Sequence, residues 1–317
     1  MMKKTGFIII LSFVFGGLSA QSKHDFSVVA GGGLSGLNYN LSVGSQEMRL
    51  GGYFGVGHQY SVSSLWGLNT GIEFGFFNSG SSLLMFKDSY MTLDMDGSEF
   101  EFRTLLSRHN ELQRAILLQI PLMATTQIRH KKIKIPLYVS AGCKVAFPLI
   151  ANYDAIATLV NSGYYVLEDF EYTQQTFVGF GTFPNETASG SLKFSPAVLA
   201  SAEFSVMQKL KKSGMKLYIG VNIDYGLNNI AKAEHASLQP IIPYDTHNPT
   251  NFTINSVLSG VAPNTQHQPK PLADKVAPLS LGIKLRLTIN KDQLAKKVKD
   301  VKNVMKVKKV KKEAARD

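Results

Sequence analysis

Through most of this chain apolar side chains fall on every second residue. From Trp66 to Phe77 one set of alternate positions is Trp66, Leu68, Thr70, Ile72, Phe74 and Phe76, and the other is Gly67, Asn69, Gly71, Glu73, Gly75 and Phe77. A strand sends successive side chains to opposite faces, so this stretch carries one apolar face and one small or polar face. Met215–Leu227 repeats the pattern, as does Leu279–Asn290, where Leu279, Leu281, Ile283, Leu285, Leu287 and Ile289 oppose Ser280, Gly282, Lys284, Arg286, Thr288 and Asn290. No helical period fits these segments.

The same rule applied along the chain predicts eight strands, at roughly 26–37, 48–62, 66–80, 112–128, 133–149, 191–208, 215–229 and 275–290. They exceed the usual strand of about 5–6 residues and reach the 9–11 tilted residues of a bilayer-crossing strand. Glycines such as Gly31, Gly55, Gly71, Gly220 and Gly282 fall on the non-apolar face, where a narrow lumen needs space. Short links (63–65, 129–132, 209–214) alternate with long ones (81–111, 150–190, 230–274), the asymmetry of short periplasmic turns and long extracellular loops. The expected fold is therefore all-β: an eight-stranded antiparallel up-and-down transmembrane β-barrel over residues 21–290.

Composition agrees with a folded chain: 317 residues, 44% hydrophobic and 18% charged. The single cysteine, Cys143, forbids an intrachain disulfide and a multi-cysteine metal site. The net charge of +11 is uneven, with +7 in residues 291–317 and +2 from Lys3 and Lys4, leaving +2 over 21–290. A nearly neutral body gives nucleic acid no footprint, and none is expected as a partner. Residues 1–20 combine two lysines, an apolar run from Phe7 to Phe15 and small residues at Ser19-Ala20, the layout of a cleavable secretory signal peptide.

Short motifs then carry a resemblance. Leu118-Gln119-Ile120-Pro121-Leu122, Tyr138-Val139-Ser140-Ala141-Gly142, Tyr225-Gly226-Leu227-Asn228-Asn229-Ile230 and Leu279-Ser280-Leu281-Gly282-Ile283-Lys284, in that order, resemble the PorT-like family of Gram-negative outer-membrane β-barrels, similar in architecture to the OmpA transmembrane domain. The resemblance spans about residues 22–290. It implies an outer-membrane location with both termini periplasmic, and outer-membrane lipids and lipopolysaccharide as surroundings; it implies no single activity. The basic tail after the last strand departs from the aromatic ending of many such barrels.

Alternation places Glu73, Glu203 and Asp224 in the lumen with Lys144, Lys284 and Arg286. Buried charges are costly unless paired, so these six are expected to form an interior salt-bridge network. The expected role is structural or interaction-based: envelope integrity, surface contacts, or an accessory part in protein export. The alternatives are a small gated channel or transporter and a lipid-modifying enzyme. Enzymatic function is not expected. His58 is read on the outward face of the second strand, His109 in a long loop, His130 in a turn, and His235, His247 and His267 in the last loop; none stands in a G-x-S-x-G or H-E-x-x-H context. Cys143 is read as a small hydrophobe on the outward face. The acidic group Asp88, Asp94, Asp96, Glu99 and Glu101 lacks EF-hand spacing and reads as a solvated loop. No cofactor and no resident metal are expected. The tail 291–317 reads as a basic periplasmic extension, amphipathic through Leu294, Val298, Val301 and Met305, suited to periplasmic or peptidoglycan contacts. Nothing in the sequence sets an oligomeric state.

Overall fold

The computed structural model describes residues 24–128, 136–210, 215–263 and 269–290. The expected signal peptide (1–20), the basic tail (291–317), His130 and His267 lie outside the described residues. Among the described residues eleven strands form: β1 (His24–Asn38), β2 (Ser45–Met48), β3 (Leu50–Ser61), β4 (Trp66–Leu93), β5 (Glu99–Ile128), β6 (Leu137–Tyr165), β7 (Phe170–Tyr172), β8 (Gly181–Ser191), β9 (Ala197–Lys209), β10 (Lys216–Gly226) and β11 (Ala277–Asn290), with a short α-helix, α1 (Lys232–His235), and a 3-10 turn at Thr176–Val178. All belong to a single antiparallel sheet. Neighbours follow the order β4, β3, β1, β11, β10, β9, β6, β5, and β5 pairs in turn with β4. β2 lies along β4 beyond β3, while β8 and β7 lie along β6 beyond β9.

The expected eight-stranded up-and-down transmembrane barrel is thus corrected to an eleven-stranded antiparallel sheet with a packed head. Two of the expected strand lines are broken, at Arg49 between β2 and β3 and at residues 192–196 between β8 and β9. Three others run on: β4, β5 and β6 have 28, 30 and 29 residues. Such lengths are not set by the 9–11 residues of a bilayer crossing, so the transmembrane reading loses its length argument. The links at 81–111 and 150–190 are largely strand, whereas 227–276 is irregular apart from α1.

The alternation changes sign along the long strands. In the lower part, here called the body, apolar residues point outward. One cross-strand row runs Phe147, Leu118, Phe74, Phe54, Ala30, Leu285, Ile219, Val206 through eight neighbouring strands. Val28, Val56, Leu122 and Ile283 are each 58–59% exposed on the same face. In the head most large apolar residues point inward. Phe77, Leu83 and Phe86 of β4, Phe100, Phe102 and Leu106 of β5, and Ala155, Ala157 and Leu159 of β6 are buried against Ile241, Ile242, Ile254, Val257 and Leu258 of the 227–276 segment. Burial of each large side chain stabilises by about 1.5–3 kcal/mol, which holds this Pro-rich segment in place although it lacks regular backbone pairing. No helix among the described residues is long and apolar enough to cross a membrane.

Inside the body, small residues make room for large ones. A Cβ on Gly31 would stand 2.3 Å from the Tyr53 ring, so only glycine lets that ring lie across the interior. The β4–β5 hairpin closes at Gly97, whose φ of 81° suits a residue without a Cβ.

Candidate functional site

Six charged residues meet inside the body. Glu73 (β4), Lys144 (β6), Glu203 (β9), Asp224 (β10), Lys284 and Arg286 (β11) are each no more than 8% exposed. Lys144 Nζ lies 2.9 Å from Glu73 Oε2 and 3.0 Å from Asp224 Oδ2. Lys284 Nζ lies 3.1 Å from Glu73 Oε1 and 3.4 Å from Glu203 Oε2, and Arg286 Nη2 stands 3.3 Å from Glu203 Oε1. The Tyr53 ring covers Lys144 and Lys284, Tyr218 covers Arg286, and the Tyr53 hydroxyl donates to Asn222. Three acids and three bases form one neutral network. Its members hold one another, which suits a fixed polar filling rather than a moving charge relay.

A second polar cluster lies in the head. Glu111 on β5 is fully buried and accepts hydrogen bonds from Ser256 Oγ (2.5 Å), the Val257 amide (2.9 Å) and Gln113 Nε2 (2.8 Å). Gln113 Oε1 in turn accepts from the Tyr39 hydroxyl at 3.0 Å. Burial pushes the Glu111 carboxyl up to about 7 against the pull of those three donors. His109 is also fully buried, its Nε2 4.0 Å from Glu111 Oε2, and burial pushes it down to about 4. The sequence reading put His109 in a loop. It is corrected to an inward position on β5, reached because a register shift between Leu106 and Arg108 carries the chain past one residue.

The outer face of the head forms a trough. Ser45, Ser82, Asn110, Ile156 and Thr187 make one row across β2, β4, β5, β6 and β8, and Glu47, Gly80, Leu112, Asp154 and Ser189 make the next. These rows line a cavity of about 810 Å³, which adjoins a recess of about 570 Å³ through the shared Asp154 and Ser189. Two ion pairs flank it: Arg49 Nη2 to Glu47 Oε1 at 2.6 Å, and Arg114 Nη1 to Asp154 Oδ2 at 2.8 Å. The sequence reading missed this trough. Its signal was the run of serines, asparagines and paired charges at the outward positions of 78–82, 110–114 and 152–154.

Other residues singled out from the sequence stand apart from both clusters. Cys143 is exposed on the outer face of β6. His58 is on the outer face of β3 beside His24, His235 sits in α1 against Asn229, and His247 follows Asp245 in the 227–276 segment. Of the acidic group, Asp94 closes the β4–β5 turn by accepting from the Asp96 and Ser98 amides, and Glu101 pairs with Arg103. No group of three or more potential metal ligands occurs among the described residues.

No family model matches this chain, and no curated protein matches it. The resemblance to PorT-like and OmpA-like outer-membrane proteins is therefore corrected: three of its motifs are short strand segments, which an antiparallel sheet of any origin can contain, and the fourth, 225–230, runs off the end of β10 into irregular chain. What that resemblance and the eight-strand count implied goes with them. The outer-membrane location with periplasmic termini, the lipid and lipopolysaccharide partners, the envelope or export role, and the channel and lipid-modifying alternatives have no finding behind them. The apolar outer face of the body is a property of the surface and does not name what covers it. Fold and sites define an antiparallel β-sheet protein with a charge-filled body and a grooved head.

Proposed function

We propose that this protein is a non-catalytic recognition module whose head trough holds an uncharged, hydroxyl-rich ligand, a neutral oligosaccharide. The observation that carries the reading is the trough itself. Its volume lies within the range of small-ligand sites, and it is built on paired strands, which position side chains more tightly than loops do. Its two arginines and two outward carboxylates cancel in charge, so neither an anion nor a cation is favoured. Each carboxylate is paired with a guanidinium. Ser82, Asn110, Thr187 and Ser189 add hydroxyl and carboxamide groups that both donate and accept, as sugar hydroxyls do. Leu112 and Ile156 supply a small apolar floor.

Calorimetric titration with a panel of short neutral gluco-, manno- and galacto-oligosaccharides tests the reading. Saturable binding by at least one of them, lost on Arg114→Ala and on Asp154→Ala, is expected. Absence of binding across the panel, or binding that ignores both variants, would overturn it.

A further inference from the structure

Two histidines meet at the lower rim of the sheet, far from the trough. His24 opens β1 and His58 lies on β3, two positions off the direct pairing, since His24 is opposite Tyr60 and Phe26 is opposite His58. Both point outward and both are partly exposed. His24 Nδ1 stands 2.9 Å from His58 Nε2, and the rings stack with centroids 5.1 Å apart at 25°. Tyr60 on one side and Phe26 on the other hold the pair between aromatic rings. Paired backbones fix both Cα positions, so little rotamer freedom remains to be lost when a ligand binds.

We propose that His24 and His58 form a transition-metal site that selects copper(II). Two imidazole nitrogens bound at about 2.0 Å to one ion stand about 2.9 Å apart when they occupy adjacent corners of a square, and about 3.3 Å apart at a tetrahedral angle. The separation seen here, held by the hydrogen bond between the rings, equals that of the square, so an ion can replace the proton with little change in spacing. Tetragonal geometry with nitrogen ligands is the preference of copper(II) and nickel(II), and copper(II) tops the affinity order of the divalent series. Water completes the remaining corners on the solvent side.

Protons balance in this step. The 2.9 Å contact needs one proton between the two nitrogens, carried by either ring. With that proton on His58 Nε2, His24 carries its own on Nε2 and offers Nδ1 as a lone-pair donor. When the metal enters, the His58 proton moves to Nδ1 and Nε2 becomes the second ligand. Each ring keeps one proton and none is released.

The test uses the purified chain and copper(II) chloride alone. One copper per chain with an electron paramagnetic resonance spectrum split by two equivalent nitrogens is expected. Removing a direct ligand should cost at least as much as removing an outer-shell partner, about 10–100-fold in affinity, so His24→Ala and His58→Ala should each weaken binding by tenfold or more. His247→Ala, in the 227–276 segment, should leave it unchanged. Circular dichroism melts of the rim variants separate loss of ligand from loss of fold. Equal copper affinity in the double variant, or a spectrum without the two-nitrogen splitting, would overturn the assignment.

Discussion

Glu111 on β5 and Ser256 in the 227–276 segment are 145 positions apart in sequence and meet at 2.5 Å inside the head. This contact, with the Val257 amide beside it, ties an irregular segment to the centre of a sheet. It is also where titration bears on stability. Glu111 titrates near 7 in the fold against an ordinary 4.5, so its contribution is complete below about 4.5 and is lost as pH rises through about 7. His109 runs the other way, at about 4 against 6.5, so its contribution is complete above about 6.5 and is lost as pH falls through about 4.

Between about pH 4.5 and 6.5 the folded pair binds one proton, on Glu111, and the unfolded pair binds one, on His109. Equal proton counts give zero slope. Wild-type protein should therefore show no pH dependence from this pair in that window. Glu111→Gln should make stability rise with pH by about 1.4 kcal/mol per unit, and His109→Phe should make it fall by a similar amount. Denaturant titrations at several pH values check the signs.

Ser256→Ala removes one of three donors to a buried carboxyl. The expected cost is about 1–3 kcal/mol, felt first in the 227–276 segment. Hydrogen exchange at the Val257 amide should accelerate more than exchange in β10 or β11.

Lys144→Met leaves Glu73 and Asp224 without their shared cation, and should destabilise by about 3–5 kcal/mol. Adding Asp224→Asn removes one orphaned charge and should recover part of that loss. Chemical denaturation of the two variants measures the difference.

Arg114 and Asp154 are more than half exposed, so Arg114→Ala should change stability by less than about 1 kcal/mol. A drop in oligosaccharide binding at unchanged melting temperature would separate recognition from folding.

The outward apolar row from Phe147 to Val206 should make the chain self-associate in plain buffer. A mild surfactant should give a single small species in sedimentation velocity, and Val221→Glu with Ile283→Lys should reduce association without it.

Much of the body was legible because one rule governs it. Wherever apolar residues face outward, alternation assigns the other face inward, and Glu73, Lys144, Glu203, Asp224, Lys284 and Arg286 all follow it into one network. The head was not legible because the rule reverses there. On β6, Phe147 points outward, but a register shift between Ile116 and Leu117 of β5 sets in opposite Leu149, and from Ala151 onward the odd-numbered Ala151, Tyr153, Ala155, Ala157 and Leu159 point inward. A reading that follows apolar residues along one face stops at that reversal and takes the rest for loop. The trough was hidden for the same reason, since Asn110 and Asp154 look like loop residues until β2 and β8 are seen alongside them.

The pairing of β1 with β11, in register from Asp25 opposite Asn290, governs the order in which this molecule can be built. β1 receives β11, one of its two partners, only after more than two hundred further residues have been made. Until then both β1 and β10 present a bare edge, and the loop closed by their joining is nearly the whole chain, so assembly should be slow and sensitive to crowding by other extended chains.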